Sequence, residues 1–562
     1  MKKNIKIHKT FFLILSVFLL YPVYVYADDV VRERVYLQTD KQTYLSGELL
    51  WMKFYLTDEY GKPSSISKIG YVELVDESTA QVQEKLEIKD GLAEGWMELP
   101  ITLPTGNYRL VAYTQNMRNE GETVYFNKII GIINTFKTDA LTIADTVVYE
   151  NNMPSLSDGN INVTTRNQSY STRTSSEIQI TGLPENIHSL SVSVAGADLV
   201  NHNEDIQIWS NNLKEYTSIP VKADFLSEYE GHIINGKITD MTTNQAPSEE
   251  NVFSLLGFVG DQVRLFGANS DNNGDVRFFT KRITGSRELA VSTISSSENN
   301  YRISIESPFV AHQEKTMPEL LLNPQWKEQL LQRSVGMQVQ YAYSADSMSR
   351  VDTTYSYFRH KPDRSYILDE YTRFTTMEEV VIEFVSSLRF RQYSGKKFLS
   401  VVMNDVNFFS LNMLVLLDGI PILDHDIIFN YNPLLVYKID VYKDMFIFGS
   451  KYFEGMIFLT TYNRDYPGLV VDETTHLIDY EGTQLHRYFY TPTYSDNESV
   501  DSKMPDLRHT LLWDPEVKTN GQTALSIPFC TSDLTGDFQV TVEGISKDGK
   551  VIRGVSFFSV EN

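Results

Sequence analysis

The stretches RVYLQT at residues 34–39 and LWMKFYL at residues 50–56 decide the fold of the first region of this chain. Both are rich in the aromatic and β-branched residues that favour strands. Similar runs follow, and turn signals separate them at residues 46–47 (SG), 60–63 (YGKP), 90–91 (DG) and 104–106 (PTG). About seven short strands at this spacing predict a β-sandwich over residues 28–134.

More β structure is predicted further along the chain. Residues 155–225 alternate cleanly between apolar and polar positions and predict a small β domain, and residues 230–310 predict another. Within the latter, DNNGD at 271–275 favours a hairpin turn over a calcium loop, because both flanks read as strands. Residues 505–562 predict a closing β segment, with a hairpin turn at Asp548 and Gly549.

Helical patterns occur only in the middle of the chain. Residues 318–343 contain helix formers and predict a helical linker. Residues 365–465 combine strand-like runs with TTMEE at 375–379, a capping box at the start of a helix. The predicted fold class is therefore mainly β: serial β-sandwich domains plus one small α+β domain.

The first 27 residues have the three parts of a secretory signal peptide. Lysines and no acids precede an apolar core at residues 11–20, and VYA at 25–27 provides a small-x-small cleavage site. The alternative is an uncleaved N-terminal anchor, although ten apolar residues are too few to span a bilayer, which takes about 20. We expect an exported chain with no transmembrane segment of its own after signal cleavage.

Composition excludes several functions. A formal net charge of -23 disfavours binding to phosphate backbones, so no nucleic-acid partner is expected. The single cysteine, Cys530, forbids an intramolecular disulfide and any multi-cysteine metal site. Its strand-like surroundings indicate a small core residue rather than a nucleophile. Gly-x-Ser-x-Gly, His-Glu-x-x-His and phosphate-loop motifs are all missing, which predicts a non-enzymatic protein without cofactor.

Two groups of residues remain as candidates for a site. Asp418, Asp424, His425 and Asp426 could bind a divalent ion, but a chain-reversing turn with Asp424 as a cap is the favoured interpretation, so no metal is expected. The second group is aromatic and basic, and could stack on sugars or grip a protein; alternatively, its members are core and edge residues of strands. It consists of Tyr355, Tyr357, Phe358, Tyr366 and Tyr371 with Arg359, Arg364 and Arg373.

Several motifs resemble known families. The runs at 34–41, 44–48, 51–56 and 103–114 resemble the second macroglobulin-like domain of alpha-2-macroglobulin-type proteins. Residues 231–308 look like a carboxypeptidase regulatory-like, or prealbumin-type, domain. LVLLDGIP at 414–421, with IDVY at 439–442 and GMI at 455–457, looks like the plug domain of TonB-dependent outer-membrane receptors. The closing segment resembles another macroglobulin-type region. This order is similar to envelope proteins of Bacteroides-type Gram-negative bacteria.

The sequence also departs from these families. The macroglobulin thioester motif Cys-Gly-Glu-Gln is missing, which rules out covalent trapping of a protease by that route. The 100 residues after Tyr462 are too few for the barrel that accompanies a receptor plug, since 22 strands of about ten residues need over 200. The resemblance therefore implies serial macroglobulin-like or immunoglobulin-like domains carrying a plug-like unit that is not itself a pore.

The function that this resemblance implies is an exported, periplasmic or outer-membrane-associated interaction protein. Its partner would be an outer-membrane protein or envelope complex, in TonB-dependent transport or in secretion and assembly. Possible partner-binding residues are Tyr355, Tyr357, Phe358, Arg359, Asp418, Asp424 and His425. Two alternatives stay open: a noncovalent protease inhibitor or sensor with bait segments at 135–159 or 344–364, and a carbohydrate- or peptide-binding module using the aromatic group.

Overall fold

The computed structural model describes residues 32–137, 160–197, 224–247, 251–260, 263–295, 300–344, 361–402, 412–494 and 503–561. These residues form three β-sandwiches and one mixed α/β unit, so the predicted fold class, mainly β with one small α+β domain, is confirmed. The predicted signal peptide lies outside the described residues. Among the described helices, none is both long enough and apolar enough to cross a membrane.

Sandwich 1 comprises residues 32–134 and has two sheets, ordered β1-β3-β6 and β2-β8-β7-β4-β5. Its strands are β1 (Glu33–Thr39), β2 (Thr43–Leu45), β3 (Leu49–Asp58), β4 (Ile69–Val75), β5 (Ala80–Glu87), β6 (Leu92–Glu98), β7 (Gly106–Tyr113) and β8 (Phe126–Ile133). Every residue of β1 is buried. Val35 and Leu37 face the core between the sheets, whereas the outward Tyr36 donates a hydrogen bond to Glu543 of another sandwich (2.9 Å). Both faces of β1 are thus buried, including the polar face formed by Arg34, Tyr36 and Gln38.

Sandwich 2 is built from two distant parts of the chain, residues 160–197 and 508–561. Its sheets are ordered β10-β30-β29-β12-β27 and β28-β11-β9. The strands are β9 (Asn162–Thr165), β10 (Ser169–Ser171), β11 (Ser175–Thr181), β12 (Ile187–Gly196), β27 (Thr510–Asp514), β28 (Ala524–Cys530), β29 (Gly536–Ser546) and β30 (Val551–Glu561). The prediction of separate β units at 155–225 and 505–562 was therefore wrong. Neither part has enough strands to cover its own apolar face, and β11 and β12 complete theirs by pairing with β28 and β29.

Sandwich 3 comprises residues 228–306 and 475–483, with sheets ordered β16-β13-β18 and β15-β14-β17-β26. Its strands are β13 (His232–Asp240), β14 (Phe253–Phe258), β15 (Leu265–Asn269), β16 (Asp275–Lys281), β17 (Ser286–Ile294), β18 (Tyr301–Ile305) and β26 (Thr475–Glu481). β26 lies beyond the predicted boundary at residue 310 and covers the edge of β17. The turn at 271–275 forms around the Asp271 carboxylate, but β15 and β16 enter different sheets, so a paired hairpin was a wrong prediction.

The mixed unit comprises residues 363–472. It has a five-stranded sheet ordered β19-β24-β25-β22-β23, a two-stranded sheet β20-β21, and two short helices. Its elements are β19 (Arg364–Ile367), α2 (Met377–Glu383), β20 (Leu388–Tyr393), β21 (Lys396–Val401), β22 (Leu414–Leu417), β23 (Ile420–Ile422), α3 (Asp426–Asn430), β24 (Val436–Phe448) and β25 (Lys451–Thr461). The predicted capping box of α2 is confirmed, with Thr376 and Glu379 capping each other's backbone amides.

Helix α1 (Lys327–Ser344) confirms the helix predicted within residues 318–343, and it packs on sandwich 1. Its Arg333 makes two 2.7 Å hydrogen bonds to the buried Glu48. Met337 packs beside Leu45 and Ile133 of the sandwich. Because the helix is only weakly amphipathic, its sequence does not show which face is buried.

Buried polar contacts join the units to one another. Tyr55 of sandwich 1 meets Ser191 of sandwich 2 at 2.7 Å, and Tyr71 donates to Glu228 of sandwich 3 at 2.9 Å. Sandwich 3 contacts the mixed unit through a shared apolar cluster that includes Leu255 and Phe453. Separation would leave buried hydrogen-bonding groups unpaired at the first two junctions and would expose apolar side chains at the third, so we expect the four units to keep a fixed arrangement.

Candidate interaction surface

The aromatic group that the sequence singled out is only partly described. Tyr355, Tyr357, Phe358 and Arg359 lie outside the described residues, as do almost all of the two proposed bait segments. Tyr366 is buried and donates a hydrogen bond to Ser387 at 3.0 Å. Tyr371 stacks on Phe384, with ring centroids 4.4 Å apart. These two tyrosines act within the mixed unit, as the core-and-edge interpretation predicted for them.

Asp418 is a turn residue with a fully engaged carboxylate. Asp418 and Gly419 both have positive φ, 50° and 93°, which is the conformation of a two-residue hairpin turn between β22 and β23. The carboxylate accepts hydrogen bonds from the backbone amide and hydroxyl of Thr461 and from the amide of Tyr466. A Cβ on Gly419 would lie 2.2 Å from the carbonyl oxygen of Phe258, so only glycine allows this close approach to sandwich 3.

Asp424 and His425 also hold the mixed unit together. The Asp424 carboxylate accepts a hydrogen bond from the Lys396 ammonium at 2.8 Å. It also accepts one at 3.1 Å from the backbone amide of Asp426, the first residue of α3. The buried His425 accepts through Nδ1 from the amide of Leu399 at 3.0 Å. Burial lowers the pKa of His425 to about 4, so the ring is neutral at pH 7.

No group of three or more His, Cys, Asp or Glu side chains in the described ranges has the arrangement of a metal site. Asp418 and His425 are buried and engaged in turn and strand contacts, as the turn interpretation expects. Asp424 is partly exposed, and the assignment of these residues to partner binding stays a prediction.

Exposed apolar side chains concentrate instead in the mixed unit. Of the 21 large apolar side chains that are exposed among the described residues, ten lie between Tyr371 and Val470. Three of them share one face at the end of the β24–β25 hairpin: Met445, Ile447 and Tyr452, which are 60%, 70% and 50% exposed. We call these three residues the hairpin face. The register pairs Ile447 directly with Tyr452.

The hairpin that carries this face is held rigidly. Its other side buries Phe446 and Phe453 in the apolar cluster shared with sandwich 3. At the turn, a Cβ on Gly449 would come within 2.8 Å of the carbonyl oxygen of Gly267, so the two backbones touch. Ser450 donates a hydrogen bond to Asn269 at 2.6 Å. The hairpin face is therefore a preformed apolar surface and not the flank of a loose loop.

Sequence reasoning missed the hairpin face. Residues 445–448 read MFIF, and continuous apolar runs predict a strand buried on both sides. Nothing in such a run tells which alternate positions face solvent. Charged residues at every second position usually mark the solvent-exposed face of a strand. On this face only Glu454, which is opposite Met445, is charged.

Comparisons with known proteins identify no family. No family model matches the chain, and no curated protein matches it. Three solved structures illustrate the similarities found. Salmonella alpha-2-macroglobulin reacted with methylamine is 10% identical with a TM-score of 0.24, covering 94% of this chain and 39% of that chain. Native Escherichia coli alpha-2-macroglobulin has the same identity and TM-score, at 95% and 40% coverage. The Escherichia coli adhesin FdeC is 11% identical with a TM-score of 0.14, at 48% and 62% coverage.

The chain thus spans about two fifths of the length of the bacterial macroglobulins that it matches. Similarity at these TM-scores carries no argument about activity or partner. The motif resemblances to a carboxypeptidase regulatory-like domain, to a receptor plug and to Bacteroides-type envelope proteins stay predictions.

Proposed function

We propose that this chain is a non-enzymatic, exported interaction protein that docks on an outer-membrane partner through the hairpin face of its mixed unit. The observation that carries the proposal is the exposure of Met445, Ile447 and Tyr452 on a hairpin whose opposite side is anchored in sandwich 3. Contiguous exposed apolar surface on a rigid element is characteristic of protein–protein interaction sites.

The type of partner follows from the sequence resemblance. The mixed unit contains the plug-like motifs at 414–421 and 439–442, and a plug works in contact with an outer-membrane barrel. This chain would place its plug-like unit against such a barrel, or against an assembly complex, while the sandwiches hold the unit in position. Fold-level analogy alone does not establish this role, so the surface residues provide the test.

The test is an affinity capture from detergent-solubilised envelope of the producing bacterium, with mass spectrometry of the proteins recovered. The test variant is Ile447→Thr combined with Tyr452→Thr, which keeps strand-favouring residues. The matched control is Phe279→Thr, because Phe279 is also an exposed aromatic residue on a strand. Wild type and control should recover a stoichiometric outer-membrane protein.

Loss of two interface anchors at about 2 kcal/mol each should reduce recovery by more than tenfold in the double variant. Equal recovery by all three proteins would show that the hairpin face is not the contact. Recovery of soluble proteases alone would refute docking and favour the inhibitor alternative.

A further inference from the structure

The two-stranded sheet of the mixed unit, β20 and β21, has one open edge. Among the described residues, β20 pairs only with β21. Phe390 lies opposite Leu399, and two residues further along Gln392 lies opposite Lys397. The backbone amides of Leu399 and Lys397 donate to side chains at the start of α3, at 3.0 and 2.9 Å. The β21 edge of the sheet is therefore covered by α3, and the open edge is the outer side of β20.

The register shows which backbone groups the open edge presents. In an antiparallel pair, residues directly opposite each other either bond to each other or both point away from each other. Since the amides of Leu399 and Lys397 point to α3, the opposite residues Phe390 and Gln392 direct their amide and carbonyl groups outward. No described residue makes a hydrogen bond to these four groups. The edge thus offers two donors and two acceptors to an added strand.

The side chains beside the open edge are cationic. Residues 387–397 contain four basic residues and no acidic one, in a chain whose net charge is -23. Arg389 and Arg391 are exposed on one face of β20. The two lysines of β21 pair with carboxylates on α2 and just before α3. Within the described ranges no carboxylate pairs with Arg389, whose guanidinium donates to two backbone carbonyl oxygens. Arg389 therefore brings an uncompensated positive charge to this edge.

The β20–β21 hairpin is anchored, so its open edge is preformed. On the inward face, Phe390 meets Phe429 of α3 edge-on, with ring centroids 5.2 Å apart. Leu388 is buried in the core of the mixed unit. At the turn, Ser394 and Gly395 have positive φ, 50° and 84°, as in a two-residue hairpin. An added strand would meet an ordered template, and little conformational freedom of β20 would be lost on binding.

Charge determines which kind of strand fits this edge. A second copy of β20 would place its own arginines beside Arg389 and Arg391 on one face of the extended sheet, and neighbouring like charges are unfavourable. The net charge of the chain repels an acidic partner at long range, but at physiological ionic strength charges more than about 8 Å away are largely screened. The arginines therefore dominate at contact, and a strand with carboxylates at alternate positions complements them.

We propose that the outer edge of β20 binds an extended peptide segment with acidic residues at alternate positions, by strand addition. The peptide backbone pairs with Phe390 and Gln392, and its carboxylates meet Arg389 and Arg391. This surface goes beyond the proposed function, because it uses other residues and another partner chemistry than the hairpin face. Either surface can be present without the other.

The experiment is fluorescence anisotropy of a labelled peptide of four Thr-Glu repeats, titrated with the full chain at physiological ionic strength. We expect saturable one-to-one binding. A peptide of four Thr-Lys repeats reverses the charge. A peptide of four Pro-Glu repeats keeps the charge but lacks the amides that would pair with β20, since residues opposite Phe390 and Gln392 are those between the glutamates. Each of these two peptides should bind about tenfold more weakly or less.

Two variants of the chain test the two contributions separately. Arg389→Gln combined with Arg391→Gln removes charge at exposed positions, whereas Gln392→Pro removes one outward amide and none of the bonds to β21. Each should weaken binding of the Thr-Glu peptide by about tenfold. Arg277→Gln is the matched control, because Arg277 is also an exposed arginine on an edge strand, β16. It should leave the binding unchanged.

The double arginine variant keeps the test decisive if Gln392→Pro distorts the hairpin, since both arginines are exposed. Three results with the peptides would overturn the proposal: no saturable binding of the Thr-Glu peptide at millimolar concentration, equal binding of the Pro-Glu peptide, or binding that both β20 variants leave intact. Self-association of the chain that Gln392→Pro abolishes would also overturn it, because the edge would then belong to a second copy.

Discussion

Tyr170 and Phe558 lie 388 residues apart in sequence, yet their rings meet edge-on in the core of sandwich 2 with centroids 5.4 Å apart. Both are buried, and Phe558 also contacts Phe529 and Phe538. If the two parts of the chain form one sandwich, changes at these positions must depend on each other. If they formed separate domains, the changes would be independent.

The size of this coupling follows from the contact. Tyr170→Leu and Phe558→Leu each keep an apolar side chain, so each should lower the free energy of unfolding of sandwich 2 by about 1–3 kcal/mol. The edge-to-face pair itself contributes about 1 kcal/mol beyond apolar burial. Either single substitution removes the contact between the two rings, so its energy is lost only once. The double variant should therefore lose about 1 kcal/mol less than the sum of the two single-variant losses.

The assay is native-state hydrogen exchange with mass spectrometry, because a multi-unit chain has no single unfolding free energy. The reporting segments are β12 (Ile187–Gly196) and β29 (Gly536–Ser546), which pair with each other. Phe278→Leu, in the separate core of sandwich 3, serves as the control partner for Phe558→Leu and should be additive within about 0.5 kcal/mol. Either of two results would refute the assembly of sandwich 2 from two parts of the chain. One is that the effects of Tyr170→Leu and Phe558→Leu are additive, and the other is that Phe558→Leu alone leaves exchange in β12 unchanged.

Three more predictions concern the buried polar groups. Burial lowers the pKa of His425 from 6.5 to about 4, so only the unfolded chain binds this proton between those values. The stability of the mixed unit should therefore fall by about 3 kcal/mol as the pH drops from 6.5 to 4, and by less in His425→Asn, as measured by hydrogen exchange in β21 across pH. Burial alone would raise the pKa of Glu48, but Arg333 and Lys41 lower it to about 2. Arg333→Met should therefore cost sandwich 1 about 3–5 kcal/mol, and adding Glu48→Gln should recover most of this loss, as measured by hydrogen exchange in β3. Asp418→Gly suits the positive φ but removes the carboxylate's hydrogen bonds, so hydrogen exchange in β25 should report a loss of about 3 kcal/mol, whereas the exposed Asn244→Gly, also at positive φ, should change stability by less than about 0.5 kcal/mol.

Features that depend on a few neighbouring residues could be predicted from the sequence. The capping box at Thr376 and Glu379 needs only two side chains and two amides within one helical turn. Asp548 and Gly549 form the predicted turn between β29 and β30, because glycine adopts positive φ without strain. The same local chemistry supported the turn interpretation of Asp418 over a metal site.

Pairing between distant strands could not be predicted in this way. β11 alternates between exposed and buried residues along its whole length, and this pattern is compatible with any partner strand that has a matching apolar face. Its partner β28 follows about 350 residues later, after two other folded units. One signal did exist: the four strands between residues 162 and 196 are too few to enclose the apolar side chains that they carry, so a completing segment was required.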